Sequence, residues 1–305
     1  MSANSPRSSS WPFAWGERTY VAGIINTSPD SFSGDGLAET DAAVEYGLCL
    51  VDEGADLLDV GGVSTRPGAP LVPENEERRR VLPVLAALAA KTNVPLSVDT
   101  SRAAVAREAL GAGATIVNDV WALTADPELA AVVATAQAGV VLMHNRQARA
   151  TRHAIVGGHY SDVPDANVFD SVVSFLRERG AAAQAAGIAR SQVVLDPGLG
   201  FGKTPAQTML LLRRTADLKR ELALPLLVGP SRKSFIGRAL DLPVAERLEG
   251  TIAAVVLAVA GGADIVRVHD VQACARAVRM TDAVVRGMPD AEARQPTDRL
   301  GSPHP

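Results

Sequence analysis

Residues 193–204 read VVLDPGLGFGKT, an apolar run that ends at Asp196 and continues into a glycine-rich loop. The loop ends in Gly-Lys-Thr, as a nucleotide-binding P-loop does, but a P-loop has four residues between its first glycine and its Gly-Lys pair. Here only three residues separate Gly198 from Gly202. A carboxylate at the mouth of the loop would also repel a phosphate. The stretch therefore predicts a buried strand that delivers Asp196 to a site, and not a nucleotide-binding loop.

Seven further apolar runs have the same form, and amphipathic stretches separate them. The eight runs are residues 20–26, 56–60, 95–99, 115–119, 139–143, 192–196, 225–229 and 264–268. Near-continuous apolar runs are typical of parallel strands that are buried on both faces. Several of the amphipathic stretches end in glycine, which is a common helix stop. Eight strand–helix units without a dinucleotide-binding glycine fingerprint predict an α/β fold of the (β/α)8 TIM-barrel type rather than a doubly wound sheet.

Composition limits the function and location of the chain. The 305 residues are 47% hydrophobic and carry a net charge of −4, which argues against a general nucleic-acid binder. Cys49 and Cys274 are the only cysteines, so neither a disulfide framework nor a cysteine-rich metal site is expected. We expect a cytoplasmic protein whose partners are small molecules, with no nucleic acid and no membrane among them.

The ends of the chain differ from its middle, and we expect one barrel domain over residues 19–287. Residues 1–18 have no apolar core of signal-peptide length and predict a disordered lead with a short anchoring segment. Residues 288–305 are polar and proline-rich and predict a disordered tail. The longest apolar run, residues 252–263, is too short to span a bilayer and predicts a buried helix.

Polar residues follow the predicted strands, where a TIM barrel places its active site. Four short polar side chains end apolar strands, although neutral residues would cost less to desolvate: Asn26, Asp99, Asn118 and Asp196. One alone could be a helix cap, and Asp99 before Thr100 and Ser101 is a candidate N-cap. Together they predict a site. Paired aspartates can act as general acid and base, or can accept the two parallel N–H groups of a flat amino-pyrimidinone ring.

Basic residues follow strands 2, 7 and 8, and they predict an anion site. Closure of a barrel makes strand 8 a neighbour of strand 1, so Asn26, Arg66, Arg267 and His269 are expected to converge on a phosphate or diphosphate. No His/Cys metal motif is present. A divalent ion would be Mg²⁺, held by few protein oxygens and by substrate phosphates, with Asn26 as the best-placed ligand. The loops at residues 27–36 and 61–69 are expected to be mobile lids.

These residues resemble a known family. GIINTSPDSFSGDG (residues 23–36) and DVGGVSTRPGA (residues 59–69) resemble the first and second signatures of dihydropteroate synthases. SVDTS, NDV, LMH, LDPGLGFGKT, GPSRKSFIG and RVHDV follow in the family's order and spacing, and the resemblance covers about residues 20–286. It implies a homodimer that joins 6-hydroxymethyl-7,8-dihydropterin diphosphate to p-aminobenzoate and releases diphosphate, in an SN1-like substitution with Mg²⁺.

The resemblance also implies roles for individual residues. Those that bind the pterin would be Asp99, Asn118, Met143, Asp196 and Lys233. Those around the diphosphate would be Asn26, Thr65, Arg66, Arg267 and His269, with Mg²⁺ at Asn26. The p-aminobenzoate pocket would be shaped by Phe32, Pro67, Phe201 and Ser234. The catalytic residues would be Asp99, Lys233 and Arg267, whereas Lys203 is expected to be structural.

Two alternatives stay open. One is a non-catalytic pterin-binding paralogue, because the signatures depart from the family pattern at Val63, Gly34, Asp35 and Trp121. The other is a pterin-dependent methyltransferase, which shares the barrel and the binding of the pterin ring by Asp and Asn side chains. Methyl transfer needs no diphosphate site, so the basic cluster favours the synthase.

Overall fold

The computed structural model describes residues 11–27, 36–63, 72–146 and 167–287. The described strands are β1 Tyr20–Asn26, β2 Leu57–Gly61, β3 Leu96–Asp99, β4 Ile116–Asp119, β5 Gly139–Met143, β6 Val193–Asp196, β7 Leu227–Val228 and β8 Ile265–Val268. The described helices are α1 Gly36–Asp52, α2 Glu74–Lys91, α3 Ala103–Gly111, α4 Leu129–Ala136, α5 Val168–Ala185, α6 Pro205–Arg213, α7 Thr215–Leu222, α8 Ser234–Leu240, α9 Leu248–Ala260 and α10 Val271–Val285. The predicted site residues Phe32, Thr65, Arg66 and Pro67 lie outside the described residues, as do most of the two predicted lids.

The strands form one barrel, which confirms the (β/α)8 prediction. Their order is β6-β5-β4-β3-β2-β1-β8-β7, and each pairing between these strands is parallel. A parallel bridge between Leu195 and Leu226 closes the ring between β6 and β7. The Leu195 N–H also donates to the Pro225 carbonyl at 2.9 Å. β7 is shorter than the predicted run at residues 225–229, because only Leu227 and Val228 pair in a regular ladder with β8.

Alternate residues of each strand point into the barrel, since the side-chain period of a strand is two. An inner apolar layer fills the barrel near the amino ends of the strands, and its strand members are Tyr20, Ala22, Leu57, Ile116, Val141, Val194, Leu227 and Ile265. Two residues further along four of these strands stand Asp59, Asn118, Asp196 and Arg267. The apolar layer therefore supports a polar layer at the carboxyl ends, where a site is expected.

Aromatic residues from the N-terminal segment pack on the inner apolar layer. Trp11 is 7% exposed, and its Nε1 donates to the Gln192 carbonyl at 2.9 Å. Phe13 stacks on Tyr20 with ring centroids 4.0 Å apart. This segment therefore covers the end of the barrel opposite the polar layer. The domain boundaries expected at residues 18 and 287 stay predictions, because residues 1–10 and 288–305 lie outside the described part.

The longest apolar run of the sequence falls mostly in α9. Its Ala254, Val255, Ala258 and Val259 are buried, as expected for a helix packed on the strands. None of the described helices combines the length and the hydropathy that a membrane crossing requires.

Candidate active site

A cross-strand row places three of the predicted site residues side by side. Asn26 on β1 pairs with Gly61 on β2, Gly61 pairs with Asp99 on β3, and Asp99 pairs with Asn118 on β4. In a parallel sheet, residues in register point to the same face. The row therefore faces the barrel mouth, and Gly61 leaves room above it because it has no side chain.

The Arg267 guanidinium bridges two acids at this mouth. Its Nε donates to Asp59 Oδ2 at 2.5 Å, and its Nη2 donates to Asp99 Oδ2 at 2.9 Å. The three side chains are only 21%, 3% and 13% exposed for Arg267, Asp59 and Asp99. Burial by itself lowers the pKa of Arg267, but the charges of Asp59 and Asp99 outweigh it and the pKa is raised. Arg267 therefore stays charged, and it ties β8 to β2 and β3 across the intervening β1.

Asp59 joins the predicted residues to one another. Its Oδ2 also accepts from Asn118 Nδ2 at 3.0 Å, so a single oxygen holds both the amide and the guanidinium. The sequence assigned Asp59 no role, although it lies in the second signature and interrupts an otherwise apolar strand. That interruption was the available signal, because a buried carboxylate needs partners.

The second predicted acid, Asp196, lies at the end of β6. It is 7% exposed, it pairs in register with Met143 on β5, and its Oδ1 accepts from the Gly198 N–H at 2.6 Å. Burial raises the pKa of Asp196, whereas Lys233, the Gly198 N–H, Lys203 and Arg267 act in the opposite direction. Both Lys233 and Arg267 are thus close enough to influence this carboxylate.

Lys233 precedes α8 and reaches across the mouth to the loop after β6. Its Nζ donates to the Leu199 carbonyl and lies 4.7 Å from the centroid of the Phe201 ring. Burial lowers the pKa of Lys233 to about 8, and the nearby charge of Asp196 opposes that change. The predicted pterin lysine and one predicted p-aminobenzoate residue are therefore neighbours.

The loop at residues 197–204 differs in structure from the nucleotide-binding P-loop that its sequence resembles. Gly198, Gly200 and Gly202 have φ values of +65°, +78° and +64°, a region in which L side chains are strained. Thr204 caps α6, because its Oγ1 accepts from the Gln207 N–H at 3.2 Å. The Lys203 side chain is buried at 4% exposure and donates to backbone carbonyls. Its expected structural character fits this environment.

Among the remaining predicted residues, His269 lies after β8, where its Nδ1 is 2.9 Å from the Ser231 Oγ. Ser234, the first residue of α8, is exposed. The His269 ring therefore contacts the loop after β7, and Arg66 lies outside the described residues. The expected convergence of the basic cluster, which also includes Arg66, therefore stays a prediction.

Two polar residues at the strand ends, Asp99 and Asp119, differ in their local backbone contacts. The N-cap proposed for Asp99 is wrong: Arg102 precedes α3, and the Ala103 N–H bonds to Asp126 Oδ2 at 2.8 Å. Asp119, beside Asn118, is structural. It accepts from Ser101 Oγ and from the N–H groups of Trp121 and Leu123 at 2.5, 2.9 and 2.6 Å, which fixes the turn after β4.

His144 lies at the end of β5 and is a buried residue. It directly follows β5, is 3% exposed, and its ring meets the Phe175 ring edge-on at 5.0 Å. Burial lowers the pKa of His144 to about 3, and the charges of Lys203 and Arg146 act in the same direction. The ring is therefore neutral at pH 7. His153 and His159 lie outside the described residues.

The chemistry of Asn26 is compatible with Mg²⁺ but not with a dedicated metal cage. The described residues contain no group of three or more His, Cys, Asp or Glu side chains that could hold a metal ion. Mg²⁺ often keeps several waters and takes few protein oxygens together with substrate phosphates. A single amide oxygen at the end of β1 fits that mode of binding.

The fold and this mouth define a barrel enzyme that holds a flat heterocycle, and the Pterin binding enzyme family matches residues 22–269. A dihydropteroate synthase from Synechocystis is 46% identical over 276 residues, which are 90% of this chain and 93% of that relative. A Clostridium difficile dihydropteroate synthase, solved in the presence of pteroic acid, matches with a TM-score of 0.82 and 44% identity, over 90% of this chain and 99% of that one. A Xanthomonas albilineans dihydropteroate synthase with 4-aminobenzoic acid matches with a TM-score of 0.80 and 44% identity, over 89% and 94% of the two chains. The chain belongs to the dihydropteroate synthase family.

Asp99 generates a prediction about stability and pH. Burial raises the pKa of Asp99 from 3.8 to about 7, because it outweighs the attraction of Arg267, and the charge of Asp59 adds to the rise. A raised pKa in the folded state means that stability is lost as the pH rises towards about 7. The stability of Asp99→Asn minus that of wild type should therefore rise between pH 4 and pH 7, by on the order of a few kcal/mol, and level off above, whatever its value at pH 4.

Urea unfolding of both proteins at several pH values measures this difference. Glu128→Gln, which removes a carboxylate with a 75% exposed side chain, is the matched control and should show no such trend. A difference between Asp99→Asn and wild type that is independent of pH would contradict the assignment of a buried, hard-to-ionise carboxyl to Asp99.

Proposed function

We propose that the chain condenses 6-hydroxymethyl-7,8-dihydropterin diphosphate with p-aminobenzoate, giving 7,8-dihydropteroate and diphosphate. The single observation that carries this proposal is the Arg267 guanidinium held between Asp59 and Asp99 at the barrel mouth. It brings a permanent cation and a carboxylate together at the point where a leaving anion and a developing cation would separate. The reaction is the one named by the curated relatives.

The flat ring of the pterin would lie over the polar layer. Asp196 presents a carboxylate oxygen that suits the parallel N–H donors of an amino-pyrimidinone edge. Asn118 adds an amide that is already oriented by Asp59, and Met143 offers an apolar surface in register with Asp196. Lys233 would donate to ring acceptors opposite these groups. The C. difficile neighbour, which was solved in the presence of pteroic acid, supports a pterin-containing ligand by analogy.

The diphosphate would lie on the side of the mouth formed by β1 and β8. Arg267 supplies a fixed positive charge there, and Arg66 and His269 are its proposed helpers. Asn26 would hold Mg²⁺ through its amide oxygen. When bound, Mg²⁺ offsets the charge of the departing diphosphate.

The bond changes need no strong base. The C–O bond between the pterin methylene and the diphosphate breaks, and its electron pair leaves with the diphosphate. The electron-rich dihydropterin stabilises the cationic methylene, and the Asp99 carboxylate adds electrostatic stabilisation. The amine of p-aminobenzoate then forms the C–N bond and gives up one proton to solvent. Phe201 and Ser234, with Phe32 and Pro67, would shape the arylamine pocket and help to exclude water that could trap the cation.

One assay distinguishes the synthase from the non-catalytic paralogue and from the methyltransferase. Purified protein should release diphosphate only when the pterin diphosphate and p-aminobenzoate are both present, and chelation of Mg²⁺ should lower the rate. Release is measured with a coupled colorimetric assay. Pterin binding without p-aminobenzoate-dependent release would instead favour the non-catalytic paralogue, and methyl transfer from a folate would favour the methyltransferase.

Asp196 generates a binding prediction. Asp196→Asn replaces an acceptor-only carboxylate by an amide whose NH2 group faces ring donors, so paired charge-assisted hydrogen bonds are lost. Pterin affinity should fall by at least about 100-fold, since such bonds contribute about 1.5–3 kcal/mol each. Isothermal titration calorimetry measures the affinity. Asp217→Asn, which disrupts an ion pair with Arg214 on the outer helices, is the control and should bind normally. Equal affinities of the two variants would exclude Asp196 as the pterin anchor.

We also propose that the protein acts in the cytoplasm. Cys49 and Cys274 are both free thiols, and Cys49 is exposed, which suits a reducing compartment. Activity found in the membrane or extracellular fraction after cell fractionation would contradict this location.

A homodimer is the proposed assembly, and exposed apolar residues support it. Leu257 on α9 is 56% exposed, and Met280 and Val284 on α10 are 66% and 71% exposed. Exposed apolar side chains on adjacent helices are a common feature of subunit interfaces. Light scattering should give twice the mass of one chain, and Met280→Glu with Val284→Glu should give one chain mass. A monomeric wild type would exclude the dimer.

A further inference from the structure

Lys203 makes an unusual set of contacts for a lysine. Its Nζ donates to the carbonyl oxygens of Gly198, His144 and Phe201 at 2.8, 3.1 and 3.1 Å. The side chain is 4% exposed, so these bonds are shielded from water. A lysine ammonium has three N–H donors, and three backbone carbonyls thus use them fully. Lys203 therefore binds the inside of its own loop and the end of β5.

The loop that Lys203 holds carries groups from both proposed substrate pockets. Asp196 begins it, the Leu199 carbonyl accepts from Lys233, and Phe201 lies under the Lys233 ammonium. Lys203 donates to the carbonyl of Gly198, directly before Leu199, and to that of Phe201, two residues after it. Its described hydrogen bonds are all to backbone carbonyls and not to a side chain at the mouth. Lys203 can therefore affect substrates through Phe201 and Lys233, and its charge also acts on Asp196.

The loop packs so closely against the end of β5 that two of its glycines have no space for a side chain. A Cβ atom at Gly198 would lie 2.0 Å from the His144 carbonyl oxygen, and a Cβ atom at Gly202 would lie 2.6 Å from the Cβ of Arg146. The glycines thus allow a close approach, and the ammonium of Lys203 provides the attraction across it. Without the ammonium, three buried carbonyls would lose a charged donor, which is costly in a buried site.

We propose that Lys203 is a positioning residue that fixes Phe201 for arylamine binding. This proposal rests on the proposed synthase function and adds a residue to it. Asp59 accepts from Asn118 and Arg267, and Arg267 in turn donates to Asp99. These residues stand on other strands, so this part of the site does not depend on Lys203. The backbone of Asp196 is fixed by the pairing of β6 with β5, and its side chain also accepts from the Gly198 N–H, so pterin is kept saturating in the test below. Loss of Lys203 should therefore act on p-aminobenzoate more than on the chemical step.

The test compares Lys203→Met with Lys219→Met. Methionine fills the path of the lysine side chain but donates no hydrogen bond. Lys219 is the matched control, because its Nζ also donates to a backbone carbonyl, that of Leu224 at 3.3 Å, and to Asp264 at 2.5 Å. Asp264 directly precedes β8, so Lys219 lies at the opposite end of the barrel from the mouth. Both substitutions should lower the thermal midpoint.

Steady-state kinetics at saturating pterin diphosphate then separate the two roles. In Lys203→Met, KM for p-aminobenzoate should rise about tenfold or more while kcat stays within about threefold of wild type. In Lys219→Met, both parameters should match wild type. Lys203→Gln retains two N–H donors and should give an intermediate KM, and it replaces Lys203→Met if that variant does not fold.

Each other outcome overturns the proposal. If KM of the Lys203 variants matches wild type while only the thermal midpoint falls, Lys203 is merely structural. If kcat falls and KM does not change, Lys203 acts on the chemical step. A wild-type protein that releases no diphosphate in response to p-aminobenzoate would instead refute the proposed function, and that result is obtained before any variant is compared.

Discussion

The buried ion pairs of Arg267 are the constraint on which the rest of the site depends. Burial of a guanidinium away from water is strongly unfavourable unless carboxylates and hydrogen bonds compensate the lost hydration. Removal of one partner of a buried ion pair typically destabilises the folded state by about 3–5 kcal/mol. Arg267 lies on β8, whereas Asp59 and Asp99 lie on β2 and β3. These residues meet only because β1 pairs with both β2 and β8. The charge that prepares the mouth for an anion is therefore stabilised only in the fully paired arrangement of these four strands.

The same network also orients groups that carry no charge. Asp59 Oδ2 receives both Arg267 and Asn118, so the amide of Asn118 cannot rotate without losing a buried bond. An amide held in one orientation suits recognition of a planar ring by several donors and acceptors. Among the described residues, Asp99 accepts a hydrogen bond through Oδ2, from Arg267. Its other oxygen, Oδ1, would interact with a substrate. The pKa of Asp99 is raised because the cost of its burial outweighs the attraction of Arg267.

The barrel and most of the mouth could be predicted from the sequence, because both follow from local patterns. Continuous apolar runs marked the strands, and a polar residue at the end of each run marked Asp99, Asn118 and Asp196. Three features could not be read in this way. Asp59 bonds to residues on β4 and β8, so its role depends on register between distant strands. The shortness of β7 and the wrong N-cap assignment for Asp99 likewise depend on which partner each backbone group meets in three dimensions.

The two lysines near Asp196 show why the sequence around 193–204 was ambiguous. In a P-loop, glycines let backbone N–H groups and a lysine point outward around a phosphate. In this chain the loop has three glycines with positive φ, and its Gly198 and Phe201 carbonyls accept from the ammonium of Lys203. The third acceptor of that ammonium is the His144 carbonyl after β5. An inward lysine with all three donors used cannot also bind a phosphate. Lys233, which comes from the loop after β7, supplies the only lysine ammonium placed at the mouth by the described residues. In the proposed function, anion binding would therefore fall to Arg267 on the far side of the barrel mouth, and separate strands would hold the ring end and the diphosphate end of the substrate.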